Sequence, residues 1–583
     1  MNIQPALVLQ RAAVPLPRTA LWLFCASWVL PGVLGRDPWR NADVQAYGIM
    51  AAMAEGRTSW WSPSLGGVPV DVALLPHWLG ALTILAGEGW LDPMLAARMP
   101  FALLLAATLA CVWWSTFLLA QTGAARPLPL AFGGEAQPLD YARALADGAV
   151  LALIATLGLL QLGHETTPEL AQLAATGLFL TAMAGSANAP RLGWPKAAAI
   201  TALPLLAASG APSIALAFSA TASLACVASR QPTWRRFVPW LLLAGAAAAA
   251  LSAGMELWRW RLTPDLAFEE AGPIARQWLW FMWPAWLLVL WTLWVWRKHL
   301  WAPHVAAPLA LTATAVAASV LMGGSDRALM LALPGLAVLA AFALPTLVRS
   351  AAAAIDWFSI CFFTAAALFI WLMYIAMQTG IPAKPAANVA KLALDFVPSF
   401  QWSALVPALA ATLAWLALVR WRTGRHPHAL WKSMVLPAGG VALCWILLMT
   451  LWLPLLDYAR SARPLVQRVT ALVGDSPCIA GLNFSTALSA SFEIFWGHPV
   501  DARPSAAETT TCPVLVRITR GPAMDTPHGW VFQGATRRPT ERNEIASVYR
   551  RAAPGTSAPA NASPTENREP SNAHEADAAS TKR

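Results

Sequence analysis

The stretch Gly35–Pro100 reads GRDPWRNADVQAYGIMAAMAEGRTSWWSPSLGGVPVDVALLPHWLGALTILAGEGWLDPMLAARMP. It follows the first apolar run, Leu21–Leu34, directly and precedes the second long one. It is a long polar interruption, and it opens with Asp37 and Asp43 just past a membrane boundary. An acid at that depth is costly unless it is paired or put to use. If a helix starts at Asn41-Ala42, then Asp43 and Tyr47 lie four residues apart on one face. The spacing alone admits two readings of Asp43, an ordinary helix-capping acid after Asn41 or a catalytic carboxylate.

Working outward, 57% of the 583 residues are hydrophobic and 12% are charged. Soluble domains carry about 25% charged residues. The composition therefore specifies an all-α polytopic membrane protein. A span needs roughly 20 apolar residues. On that criterion spans fall near 21–34, 97–119, 147–163, 170–187, 197–209, 213–229, 237–254, 277–296, 304–323, 328–347, 354–377, 402–420 and 434–455, about thirteen in all. The short links between them carry Arg126 and Arg143, Arg191 and Lys196, Arg235 and Arg236, Arg297 and Lys298, and Arg420 to Lys432 on one side. That asymmetry predicts a multi-pass membrane protein with a cytoplasmic N-terminus and a C-terminal domain on the opposite face, which the resemblance given below makes the periplasmic side of a bacterial inner membrane. The net charge of +10 is spread over these links, a pattern that points to membrane topology and not to nucleic acid. The 32 tryptophans suit bilayer interfaces.

Residues 1–456 thus form the membrane domain, with 36–96 as its first periplasmic loop. Residues 457–551 read as a small α/β periplasmic domain. Strands are expected at Cys478–Ala480, Pro513–Ile518 and Gly529–Gln533, and helices near Thr486–Phe495 and Glu541–Arg551. Residues 552–583 lack large apolar side chains and read as disordered. Cys478 and Cys512 lie in the outer domain and are available for a disulfide if that domain is outside the cytoplasm. The other five cysteines sit in apolar runs as small packing residues.

Three blocks follow Asp43 in order. They are Ala52-Met53 to Pro63 with Gly66 or Gly67, then Leu74-Leu75-Pro76-His77-Trp78-Leu79, then Ala96-Ala97-Arg98-Met99-Pro100. Together they resemble the GT-C superfamily of polyprenyl-phosphate-sugar-dependent glycosyltransferases. The nearest resemblance is to the glycosyltransferase family 39 branch that contains the aminoarabinose transferase of lipid A and the protein O-mannosyltransferases. That resemblance implies a sugar donor carried on undecaprenyl phosphate, a lipid, glycan or protein acceptor on the periplasmic side, and membrane lipids as surroundings. It implies Asp43 as general base, with Asp37, Tyr47, His77 and Trp78 shaping the acceptor and sugar pocket.

Aminoarabinose-transferase relatives carry Glu-Lys just before the double proline, where this chain has Asp71-Val72. The lysine is absent, so another cation must hold the donor phosphate. Arg327, in Ser325-Asp326-Arg327-Ala328-Leu329-Met330, resembles the arginine of a later family block and is the first candidate. Arg276 is the second. The residues also admit a surface ion pair of Arg327 with Asp326. The second outer loop, Gly163-His164-Glu165-Thr166-Thr167-Pro168-Glu169, reads either as a capped turn or as part of the site. In the latter case Asp71, His164 and Glu165 would hold a divalent metal ion or shape the pocket. The alternative for the whole chain is a transporter or flippase of a lipid-linked envelope precursor, although no internal repeat is visible.

Overall fold

The computed structural model describes residues 6–39, 41–129, 133–188, 193–260, 262, 271–424, 429–521, 525–541 and 544–552. The chain begins with helix α1 (Arg18–Val29), and the first outer loop then folds into α2 (Ala42–Ala54) and α3 (Leu74–Ala86) before α4 (Pro93–Ala120) crosses the membrane domain. Proline supplies the first helical residue of α4 and of the helices Pro168–Asn188, Pro212–Ala228 and Pro303–Leu321. Its missing N–H costs nothing there. Eight of the described helices are long and apolar enough to cross a membrane, or nine if one bent pair counts as a single span.

Three expectations from the sequence are redrawn. The segment 277–296 is two helices, Ala271–Phe281 and Ala285–Val295, meeting at a 91° bend. The span placed at 147–163 is a helix over Pro138–Ala155, because Pro138 opens it early and Thr156 ends it. Segments counted as spans at the N-terminus and near residue 200 form helices of 12, 16 and 17 residues. Within the bundle small residues allow close approach. A Cβ on Gly440 would meet the Phe363 ring, and one on Gly177 would meet Cys111 at 3.1 Å. Hydroxyls of Thr108, Thr116 and Thr176 donate to carbonyls one turn back, which satisfies them without water.

In the first loop β1 (Ser64–Leu65) and β2 (Val68–Pro69) form a hairpin turned at Gly66 and Gly67, with φ of +58° and +73°. Two consecutive residues of positive φ are what a tight hairpin needs. The outer domain carries β3 (Ile479–Leu482), β4 (Val500–Asp501), β5 (Val514–Arg520), β6 (Trp530–Arg537) and β7 (Glu544–Arg551), in the order β4-β3-β5-β7-β6. β3 runs parallel to β4 and β5, and β7 lies antiparallel between β5 and β6. The helix expected over Glu541–Arg551 is therefore a strand. Ile545, Val548 and Tyr549 suit a pleat, and pairing on both edges outweighs the helix preference of its Glu, Ala and Arg. The helix Thr486–Phe495 falls where the sequence placed it. Cys478 and Cys512 are joined in a disulfide, tying the approach to β3 to the approach to β5. Residues 553–583 lie outside the described residues.

The outer domain sits directly on the first loop. A Cβ on Gly48 would come within 2.6 Å of the Ala490 Cβ, so α2 and the helix Thr486–Phe495 meet nearly backbone to backbone. The Thr486 hydroxyl donates to the Gln45 side chain at 3.0 Å, and the Ala502 N–H donates to the Gly66 carbonyl at 2.8 Å. These contacts fix the helix that carries Asp43.

Candidate active site

Asp43 stands in the first turn of α2, where a carboxylate complements exposed N–H groups. It is 1% exposed. One oxygen, Oδ1, accepts from the Thr166 N–H at 2.9 Å and the Thr166 hydroxyl at 3.0 Å. The other, Oδ2, accepts from the Trp39 N–H at 3.0 Å and pairs with Arg36 Nη2 at 3.0 Å. Arg36 Nη2 also donates to the His164 carbonyl at 2.8 Å, and Arg98 donates to the Arg36 carbonyl. Burial opposes ionisation of Asp43. The charges of Arg36 and Arg98, with the bonds from Thr166 and Trp39, outweigh it and hold the carboxyl below the usual carboxylate range.

The loop 163–169 links this acid to Arg327. Arg327 Nη2 donates to Glu165 at 2.7 Å, while Nη1 donates to Glu169 at 2.9 Å and to the Thr167 hydroxyl at 3.0 Å. Glu165 also accepts from Gln161 at 3.0 Å. Burial, followed by the charge of Asp43, pushes the Glu165 carboxyl up. Asp43, the His164-Glu165 loop and Arg327, which are far apart in sequence, thus form one network.

A second branch runs through Trp39. Its indole N–H donates to Asp457 at 2.8 Å, and the guanidinium groups of Arg36 and Arg460 lie 4.6 and 5.1 Å from its ring centroid. Asp37 is paired through two bonds, at 2.6 and 2.8 Å, with Arg463 of the outer domain. Burial, with the charge of Asp37, raises the Asp457 carboxyl to about 6.

Other residues proposed from the sequence lie elsewhere. His77 is buried, its Nδ1 is 2.6 Å from the Ala73 carbonyl, and burial holds its pKa down. Trp78 donates to the Trp60 carbonyl at 2.7 Å and packs edge-on against Trp61. Tyr47 is buried one turn along α2. The metal set is not assembled. Asp71 pairs with Arg259 at 2.9 Å near the surface, and both His164 ring nitrogens lie within hydrogen-bond distance of backbone carbonyls, Leu160 at 2.8 Å and Trp28 at 3.0 Å. Among the described residues no group of three His, Cys, Asp or Glu side chains is placed to hold a metal ion. Arg276 is exposed on the helix Ala271–Phe281, which packs against Gly324, just before Arg327.

Arg36, Arg98, Thr166, Asp457 and Arg460 were not singled out by sequence. Arg98 had a signal, since a charge among apolar residues at the start of a span is expensive unless it is used. Arg460 borders a cavity of about 420 Å³ lined by Leu157, Phe281, Leu448, Met449 and Trp452 together with Gln161 and Asp326. A lining of apolar and charged groups together suits a molecule that has both a hydrocarbon and a charged part.

Comparison with solved structures places the fold. The chain superposes on ArnT from Cupriavidus metallidurans in the apo state with a TM-score of 0.56 at 13% identity, over 91% of this chain and 96% of that one. It superposes equally on ArnT from the same organism bound to undecaprenyl phosphate, with a TM-score of 0.56 at 12% identity, over 91% of this chain and 98% of that one. Arabinosyltransferase EmbB from Mycobacterium smegmatis is more distant, with a TM-score of 0.39 at 15% identity over 88% of this chain and 45% of that one. No family model and no curated protein matches the sequence. The chain has a polytopic helical fold like that of ArnT, crowned by a small sheet domain.

Proposed function

We propose that this chain is a membrane glycosyltransferase. It would move a sugar from an undecaprenyl-phosphate-linked donor to an acceptor hydroxyl on the periplasmic side. The observation that carries the reading is the buried network joining Asp43 to Arg327, in a fold like that of a protein crystallised with undecaprenyl phosphate. The disulfide in the outer domain supports a periplasmic location for that side, since such bonds persist in oxidising compartments.

In this reading the cavity beside Trp452 takes the isoprenoid units nearest the phosphate, at about 0.8 kcal/mol per buried CH₂. Arg460 at its rim and Arg327 close by neutralise the phosphate as it leaves. Asp43 is the general base. Its ionised state is what a base requires, but its four bonds must loosen as the acceptor enters. Thr166 is the natural donor to release it, because its loop also answers to Arg327 through Glu165 and Thr167. Glu165, whose carboxyl burial pushes up, helps as a second acid. The acceptor hydroxyl attacks the anomeric carbon, its proton passes to the carboxylate, and undecaprenyl phosphate departs with inversion.

The test is mass spectrometry of lipid A and envelope glycans from a deletion strain, a wild-type rescue and an Asp43→Asn rescue at matched membrane levels. One sugar-mass difference should vanish on deletion, return with wild type and stay missing with Asp43→Asn. Full restoration by Asp43→Asn removes the base assignment, and no difference between deletion and wild type removes the transferase reading.

A further inference from the structure

A cleft of about 980 Å³ opens where the outer sheet meets α2. Its position follows from the sheet. The chain leaves β3 in one direction to form β4 and returns on the other side to form β5. In open α/β sheets such a reversal leaves a crevice at the carboxyl ends of the strands, and ligands bind there. Here that crevice is walled by Asn483 after β3, by Ser485 and Ser491 of the following helix, and by Thr519 and Arg520 at the end of β5. Its floor belongs to the membrane domain. Asn41 and Val44, the near neighbours of Asp43, close the bottom.

Resting on the transferase reading, we infer that this cleft binds the acceptor, and that the acceptor is a neutral, hydroxyl-rich glycan. Three features of the cleft select that chemistry. The volume stands at the upper end of the roughly 300–1,000 Å³ of small-molecule sites and suits a short oligosaccharide better than a single sugar. The lining is more polar than apolar, and the amides of Asn41 and Asn483 with the hydroxyls of Ser485, Ser491 and Thr519 both donate and accept, as a sugar does. An acyl chain would instead want a continuous apolar wall. The charged groups among the described lining residues are balanced. Arg538 is buried and lies 4.0 and 3.8 Å from Glu541 and Glu544, and with Arg520 the lining sets two cations against two carboxylates, which leaves no net positive charge to attract a phosphorylated headgroup.

Asn41 holds φ 70° and ψ −119° at the mouth of α2. It turns the chain so that the floor of the cleft and Asp43 belong to one short segment. An acceptor seated on Asn41 and Val44 rests on the start of α2, the turn that carries Asp43.

The experiment uses the full chain purified in detergent micelles. Saturation-transfer NMR is recorded with three soluble probes: maltotriose, chitotriose, and the deacylated glucosamine disaccharide carrying two phosphates. Thr519→Trp and Ala487→Trp plug the cleft from opposite walls, so loss of fold in one leaves the other informative. Retention of undecaprenyl phosphate by native mass spectrometry is followed in the same samples. At least one neutral trisaccharide should give a signal that falls tenfold or more in a folded plug variant, with undecaprenyl phosphate retained. The proposal is overturned if no neutral trisaccharide binds, if binding survives both plugs, or if the bisphosphate alone binds. Failure of the wild-type chain to hold undecaprenyl phosphate counts against the donor reading and leaves the saccharide result to stand by itself.

Discussion

Thr166 gives both its backbone N–H and its hydroxyl to a single oxygen of Asp43, at 2.9 and 3.0 Å. One residue of the second outer loop therefore supplies half of the bonds that hold the acid of the first. Thr166→Val keeps the shape and the N–H but removes the hydroxyl. A hydrogen bond to a charged group contributes about 1.5–3 kcal/mol. Thermal melting in detergent should show a loss in that range, and sugar transfer should fall roughly tenfold as the carboxylate loses its fixed direction.

Asp43 and Arg36 form a buried pair, each side chain about 1% exposed. Removing one partner of such a pair costs about 3–5 kcal/mol, because the other stays buried without compensation. Asp43→Asn should therefore lower both stability and product. The double variant Arg36→Met, Asp43→Leu should recover most of the stability, yet product should remain down by about 10²–10⁴, the usual worth of a general base. Recovery of transfer along with stability would show that Asp43 is structural only.

The titrations of His164 and Asp457 have opposite signs. Burial holds His164 down to about 4, below its ordinary 6.5. A base depressed in this way stabilises the fold above pH 6.5, and that contribution is lost as pH falls toward 4. Asp457 is raised from 3.8 to about 6. Its folded form binds the proton more tightly, so its contribution is present below pH 3.8 and is lost as pH rises to 6. Between pH 4 and 6 the two slopes oppose. Asp457→Asn should remove one of them and steepen the gain of stability with rising pH. His164→Phe should leave stability falling as pH rises through that window. Each effect is roughly 3 kcal/mol over the full shift. Melting temperatures from pH 4 to 7 decide it, and parallel curves for all three proteins would contradict the assignment.

Arg327 forms three bonds in a planar fork that lysine cannot reproduce. Arg327→Lys should retain the charge and lose the geometry, lowering transfer at least tenfold. Arg460→Ala should weaken retention of undecaprenyl phosphate by a similar factor. Native mass spectrometry of the purified variants reads both lipid retention and folding. Unchanged retention in Arg460→Ala would move the phosphate site away from the cavity beside Trp452.

The disulfide closes a loop over a sequence separation of 34 residues. Cross-links of this kind contribute about 2–4 kcal/mol. Cys478→Ser should cost that much in the outer domain and bring earlier proteolysis there. Alkylation of membranes under non-reducing conditions should leave Cys478 and Cys512 unlabelled. Quantitative labelling of both in native cells would place the domain on the reducing side.

Much of this was legible in the sequence because membrane physics writes itself in long runs. Apolar runs gave the helices, and the polar stretch after the first gave α2 with Asp43 in its first turn. The partners of Asp43 were not legible. Arg36, Thr166 and Arg98 reach it from three separate segments, and nothing in local pattern tells which outer loop will cover which acid. The surroundings of the residues read as metal ligands were not legible for the same reason. His164 and Asp71 are metal-ligand residue types, but carbonyls occupy the environment of one and Arg259 pairs with the other. The strand Glu544–Arg551 was misread as a helix because its composition is mixed. Its state is decided by two neighbouring strands, one of which begins about thirty residues earlier.

The docking of the outer domain onto α2 also has a consequence in time. Trp39 waits for Asp457, Gln45 waits for Thr486, and Gly48 waits for Ala490. Those partners are separated from the first loop by more than 400 residues of chain. The segment that carries the proposed base is among the first to leave the ribosome, and its lid is among the last. A growing or prematurely ended polypeptide can insert its spans and still lack the surface that seats α2. A polypeptide that stops before Asp457 lacks all three partners, and α2 stays unseated in it.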